Sequence, residues 1–232
     1  VLKLSLNNLS AKEKAEVLAV QSRAKLTQGE ASEASILIEQ ALSKDPESIN
    51  ALIASARFHA MKQEFDLARE KLETAFLVDR NSASAWSLLG DIENNQNNLE
   101  LAEEAYSKAI EYGLNNLTDH YKRSLVLIQL NKLKEAQKDV DLIKKRSPQN
   151  AGINYAQGLI FYHNMNFRDA VNSFEIALSD ENRYPLALLY MGTSHFLQNN
   201  YEQAETYAKR FVYIAPASVA GRKLLAAIKF KN

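Results

Sequence analysis

The side chains able to do acid–base, nucleophilic or metal chemistry are few in this chain and poorly spaced for it. There are four histidines, His59, His120, His163 and His195, and no cysteine. No two histidines stand three or four residues apart, the spacing that puts a metal-binding pair on one helical face. A glycine-rich phosphate loop, an H-E-x-x-H run and a serine nucleophile elbow are all missing from the sequence. Acidic neighbours such as Glu103-Glu104 fit hydrated outer faces of helices. The absence of thiols rules out disulfides and thiolate metal sites. The expectation is a protein with no catalytic residues, no metal and no cofactor.

Charge points the same way. The formal net charge is zero, so no global field draws the chain to nucleic acid or to an anionic membrane. The nearest basic run, Lys144-Lys145-Arg146, stands where a helix is expected to end, and cations there complement the helix dipole. Residues 1–116 nevertheless carry 12 Lys/Arg against 18 Asp/Glu, and residues 117–232 carry 16 against 10. An acidic half followed by a basic half either orients a partner or reflects drift on solvated faces. No apolar run approaches the ~20 residues of a membrane span. No signal peptide is present, and a start at Val1 leads us to expect a fragment of a longer chain.

What positions these residues is a repeat. Ala34, Ala68, Ala102, Ala136, Ala170 and Ala204 each stand 34 residues from the next. Twelve residues before them lie Ser22, Ala56, Gly90, Ser124, Gly158 and Gly192, all small. Four after them lie Ile38, Leu72, Tyr106, Val140, Phe174 and Ala208. The third unit reads as a helix from about Ala83 to Asn94, a polar turn at 95–98, and a helix from about Leu99 to Tyr112. Neither helix can bury its apolar stripe alone, so neighbours must stack. Small residues recur where two antiparallel helices approach most closely. Ser10 followed by Glu13 predicts a capping box before the first helix.

Trp86, Leu89, Gly90, Ala102, Tyr106 and Ala109 resemble the tetratricopeptide-repeat (TPR) signature, with departures at Glu93, where Tyr is usual, and Leu114, where Pro is usual. Repeats 15–48 and 117–150 are more degenerate, with Gln21 and Arg123 where Leu usually sits. The resemblance implies an all-α helix-turn-helix solenoid, a right-handed superhelix. It predicts one TPR array over 1–232: repeats 15–48, 49–82, 83–116, 117–150, 151–184 and 185–218, then a C-terminal helix at 219–232. It also puts the column of His59 and His195 inside the helix pair.

In this family the first helices line the concave face, and ligands lie there. Carried over by column, that face holds Arg23, Arg57 and Asp91 in repeats one to three. In repeats four to six it holds Tyr121, Leu125, Tyr155, Leu159, Tyr162, Leu189 and Phe196, with His163 adjacent. The column where chaperone-tail TPR domains keep an Asn holds Arg23, Arg57 and Asp91, so carboxy-terminal tail capture is not supported. A Tyr-rich, apolar stretch suggests a peptide or helix groove. The same residues also fit packing on one another across adjacent repeats, or on a segment outside this chain.

From Asn154-Tyr155-Ala156-Gln157-Gly158 through Asn200-Tyr201-Glu202-Gln203-Ala204 to Gly221-Arg222-Lys223-Leu224-Leu225-Ala226, the chain is similar to TPR lipoproteins of bacterial PEP-CTERM/exosortase systems. That implies an envelope protein, lipid-anchored in its full-length form, that assembles sorting or polysaccharide-export components. The expectation is a protein-binding scaffold with a protein or peptide partner, no nucleic acid and no membrane insertion. The alternative is a cytoplasmic TPR adaptor or co-chaperone of a secretion or assembly machine.

Overall fold

The computed structural model describes residues 9–114, 116–180 and 183–231. The expected termini Val1 and Asn232, and positions 181–182 of the fifth repeat, lie outside them. The described residues form thirteen α-helices and no strand. They fall into two compact units, one up to Asp119 and one from His120.

In the first unit α1 (Ala11–Thr27) pairs with α2 (Ala31–Lys44), α3 (Ile49–Met61) with α4 (Phe65–Val78), and α5 (Ala83–Asn95) with α6 (Leu99–Tyr112). The first helices also pack on one another, α1 on α3 and α3 on α5. α7 (Leu117–Gln129) begins at the unit boundary. The second unit continues with α8 (Leu133–Lys144), α9 (Ala151–His163), α10 (Phe167–Ala177), α11 (Leu186–Leu197), α12 (Tyr201–Ile214) and α13 (Val219–Lys231). Within it α9 pairs with α10, α11 with α12, and α13 packs on both α11 and α12.

The third repeat's helices match their expected bounds to within a residue. α1 differs. It starts at Ala11, four residues ahead of the repeat register, because the Ser10–Glu13 capping box satisfies its first amides there. Two later first helices start at side-chain caps in one column: Ser48 accepts from the Ala51 amide and Asn150 from the Ile153 amide.

The turn within each helix pair is built alike. Gly29, Gln63, Asn97, Asn131, Met165 and Asn199 all have φ between 58° and 79°, and each stands 34 residues from the next. Each sits in a Schellman closure: the following amide reaches back to the carbonyl five residues earlier, as from Asn98 to Glu93 and from Asn200 to His195, both at 2.9 Å.

The alanine column lies in the core, with Ala34, Ala68, Ala102, Ala136, Ala170 and Ala204 fully buried. Its partner columns interlock. A methyl added at Gly90 would stand 2.5 Å from the Tyr106 ring, and one at Gly158 would stand 2.6 Å from Phe174. Where the later residue is smaller, the earlier one is larger, as in Ser22 with Ile38, Ala56 with Leu72 and Ser124 with Val140. Gly192 faces only Ala208 in this pairing, and there the Leu224 side chain of α13 approaches the site of a methyl at 3.1 Å.

Two departures from the family signature are explained by buried ion pairs. Glu93, only 4% exposed, takes Arg69 Nε at 2.7 Å and Asn98 Nδ2 at 2.7 Å, tying α4 to α5. Burial works against its charge, but Arg69 and Asn98 outweigh that and hold the carboxyl below the usual range. Arg123 in α7 forks onto Asp139 in α8 at 2.8 and 2.7 Å, and His120 Nδ1 stands 2.6 Å from the same carboxylate. Of the column expected inside the helix pair, His195 stacks flat on Tyr207 with ring centres 5.5 Å apart, and burial lowers its pKa. His59 lies 2.7 Å from Glu64.

Candidate partner-binding faces

In the first unit, α1, α3 and α5 line clefts with mixed polar, cationic and apolar walls. Arg23 on α1 is exposed and Arg57 on α3 half-buried. Both line a cleft of about 140 Å³ whose other walls include Asn50, Ile53, Ser84, Ser87 and Asn116. Arg57 also borders a second cleft of about 270 Å³, shared with Asp91 and Asn94 of α5. Arg23 and Arg57 thus line the first cleft, and Arg57 and Asp91 the second.

Three carboxylates on or beneath this face accept hydrogen bonds from hydroxyl and amide donors. Asp91 accepts the Tyr106 hydroxyl at 2.8 Å. Asp119 accepts Ser87 Oγ at 2.5 Å and the Asn116 side-chain amide. Glu16 accepts Ser48 Oγ at 2.8 Å and Asn50 Nδ2 at 2.5 Å. Neither Arg23 nor Arg57 has a hydrogen bond or ion pair among the described residues. A broader hollow of about 470 Å³ lies between α1 and α2, but its Lys25 is already paired with Glu30 and Glu33.

The second unit is different. Tyr121, Tyr155 and Tyr162 belong to a chain of touching rings. Tyr121 Oη is 3.4 Å from Tyr184 Oη, and Tyr155 stacks on Tyr184 at 5.1 Å. Tyr155 also leans on Phe174 at 5.9 Å, Phe174 stacks on Tyr190 at 5.6 Å, and Tyr162 meets Tyr190 edge-on at 5.0 Å. Gly152 makes room for this: a methyl there would stand 2.6 Å from Tyr184 Oη. Burial raises the phenol pKa of Tyr121, Tyr155 and Tyr162.

Leu125, Leu189 and Phe196 are half-buried, the last two packed against Ala204, Ala208, Leu224 and Ile228. His163 is exposed beside Tyr162, and Leu159 is buried at 7% exposure. Most of these residues thus pack on one another and present partial edges. Sequence reasoning missed Tyr184 and Tyr190, which complete the row. A signal for Tyr184 existed: its column holds Ser48, Ser82, Asn116 and Asn150 in other repeats, so an aromatic there is out of keeping with a cap.

Among the described residues, no group of three or more His, Cys, Asp or Glu is placed to hold a metal ion. No helix among them is long and apolar enough to cross a membrane.

Helix pairs on a 34-residue step with interlocked small and large columns define a helix-turn-helix repeat protein. The tetratricopeptide-repeat family matches three stretches, residues 25–92, 83–112 and 155–219, and the chain is a tetratricopeptide-repeat protein. Mouse tetratricopeptide repeat protein 21A is 26% identical over 162 residues, which is 66% of this chain but 12% of that protein. The chain thus spans a small part of that relative's length. Among solved structures, pilF of Pseudomonas aeruginosa superposes with a TM-score of 0.81 at 18% identity, covering 94% of this chain and 99% of that one. PilW, described as a widely conserved type IV pilus biogenesis factor, gives 0.76 at 16% identity over 91% and 98%. YrrB, described as a TPR protein with an unusual peptide-binding site, gives 0.63 at 17% identity over 80% and 96%. At these identities the likeness establishes the fold.

Proposed function

We propose that this protein is an interaction scaffold that holds a peptide or helix of a partner protein against the faces of its first helices. The observation carrying this reading is the cleft formed by α1, α3 and α5. Three consecutive first helices leave polar and cationic groups open there, where a core would have closed them off. In the second unit, the ring edges of Tyr121, Tyr155 and Tyr162, with Leu125, Leu189, Phe196 and His163, supply a separate apolar surface suited to aromatic anchoring. The work is proposed to lie in the bacterial envelope, in protein sorting or exopolysaccharide export. The C-terminal likeness to TPR lipoproteins of PEP-CTERM/exosortase systems supports that setting.

The binding claim is tested by selecting peptides from an unbiased display library on the full chain. The strongest binders are then measured against Arg57→Ala and Leu189→Ala, with Glu100→Ala on the outer face of α6 as control. Binding that weakens for a first-helix variant and not for the control is the expected result. Equal affinity for all three refutes the face. Fractionation of an epitope-tagged native protein tests the setting: recovery with the cytoplasm would sink the envelope reading and favour an adaptor there.

A further inference from the structure

We infer that the cleft between α1, α3 and α5 is a seat for an extended acidic peptide segment whose two side-chain carboxylates, about three residues apart, pair with Arg23 and Arg57. The inference rests on the reading of the first-helix face as a protein-binding surface, and it names the chemistry of the ligand.

The reason lies in which charges are already matched. Elsewhere in the molecule arginines that meet the core are forked onto carboxylates, Arg69 onto Glu93 and Arg123 onto Asp139. On this face both guanidiniums are instead left open to the cleft. A guanidinium satisfies its planar donor set best with a carboxylate in a bidentate pair. Half-buried Arg57 gains most, because the surrounding cleft lowers the local dielectric.

The spacing follows from the helices. Arg23 and Arg57 occupy the same position in consecutive repeats, and α1 packs directly on α3. Packed helices stand about 8–10 Å apart. A chain extended as polyproline II advances about 3.1 Å per residue with three residues per turn, so carboxylates at i and i+3 share one face and span that step. Asn50 and Ser84 on the cleft wall suit the intervening peptide groups. The column ends in Asp91, so the cationic stretch covers two repeats, and an acid one step further on meets like charge.

The test is fluorescence anisotropy of the full chain with labelled Ala/Ser decapeptides. One carries Glu at positions i and i+3, one carries Gln there, and one carries Lys there; a labelled single-stranded oligonucleotide is the fourth probe. The Glu peptide is expected to bind about tenfold or more tightly than the Gln peptide, and Arg57→Glu to lose about tenfold. Arg80→Glu, an exposed arginine outside the cleft, is expected to bind like the native chain. The Arg23→Glu/Arg57→Glu chain is expected to exchange preference to the Lys peptide, which a merely misfolded variant would not do. Equal binding of Glu and Gln peptides, equal loss in Arg80→Glu, or tighter binding of the oligonucleotide overturns the inference. Library-selected peptides that depend on the first-helix face but ignore both arginines would overturn it and leave the scaffold reading standing. Peptides indifferent to every first-helix variant would sink both.

Discussion

At the level of single residues, the interlock of Gly158 with Phe174 shows how the repeat tolerates variation. In the first five repeats the small column and the large column vary in opposite senses. Where both are small, at Gly192 and Ala208, Leu224 of α13 fills the space, so what is kept from repeat to repeat is the filled volume. Gly158→Ala puts a methyl 2.6 Å from a fully buried ring. Overpacking of that kind costs about 1–3 kcal/mol, against about 1 kcal/mol regained from helix propensity. The variant is expected to melt lower by thermal denaturation, and Phe174→Leu in the same chain to restore part of the loss. A double-mutant cycle with no coupling would contradict the contact. The small column was legible in the sequence because it recurs every 34 residues. The aromatic row was only half legible, since Tyr184 and Tyr190 each interrupt a column that holds other residue types elsewhere.

At the level of the helix pair, the turn and the ion pair differ in how far they could be read. Asn97, Asn131, Asn199 and Gly29 mark a left-handed position by residue type, whereas Gln63 and Met165 occupy it without such a mark. Met165 is 77% exposed, so its side chain contributes little packing. Met165→Asn is expected to stabilise by a few tenths to about 1 kcal/mol through relief of the left-handed strain, and Met165→Ala to give no such gain. Denaturant unfolding of both reads the difference.

The Arg69–Glu93 pair carries no periodic signal, because its partners stand 24 residues apart on a 34-residue step. It has a pH signature. Glu93 is held below its ordinary pKa in the fold, so the unfolded chain binds the proton more tightly. The stability it contributes is present above about pH 4.5 and is lost as pH falls through the folded value. Glu93→Gln is expected to cost about 1–3 kcal/mol at neutral pH by leaving Arg69 with only the exposed Asp66 as a charged partner, and to flatten the acid limb. An acid limb as steep as in the native chain would place that dependence on other carboxylates.

For the whole molecule, the two compact units raise the question of what each can do by itself. In a repeat protein, stability is approximately a sum over repeats and the interfaces between neighbours, and about three stacked repeats are enough to bury a continuous core. The unit ending at Asp119 contains three complete helix pairs and a buried cluster of Ile53, Ala56, Ala68, Leu72, Ala85, Leu88 and Ile92 that draws on α3, α4 and α5. Residues 1–119 expressed alone are therefore expected to give a helical far-UV spectrum and a cooperative melt. Their excess of seven acidic over basic residues, 19 against 12, predicts self-repulsion that added salt screens, so the melt should move upward between low and physiological ionic strength. Because Arg23, Arg57, Asn50 and Ser84 all belong to this unit, the fragment should also retain the affinity of the full chain for the Glu-bearing decapeptide. A fragment that folds but has lost that affinity would show that residues beyond Asp119 complete the seat. An unfolded fragment would show that the helices after Asp119 supply stability that three pairs and their shared core do not.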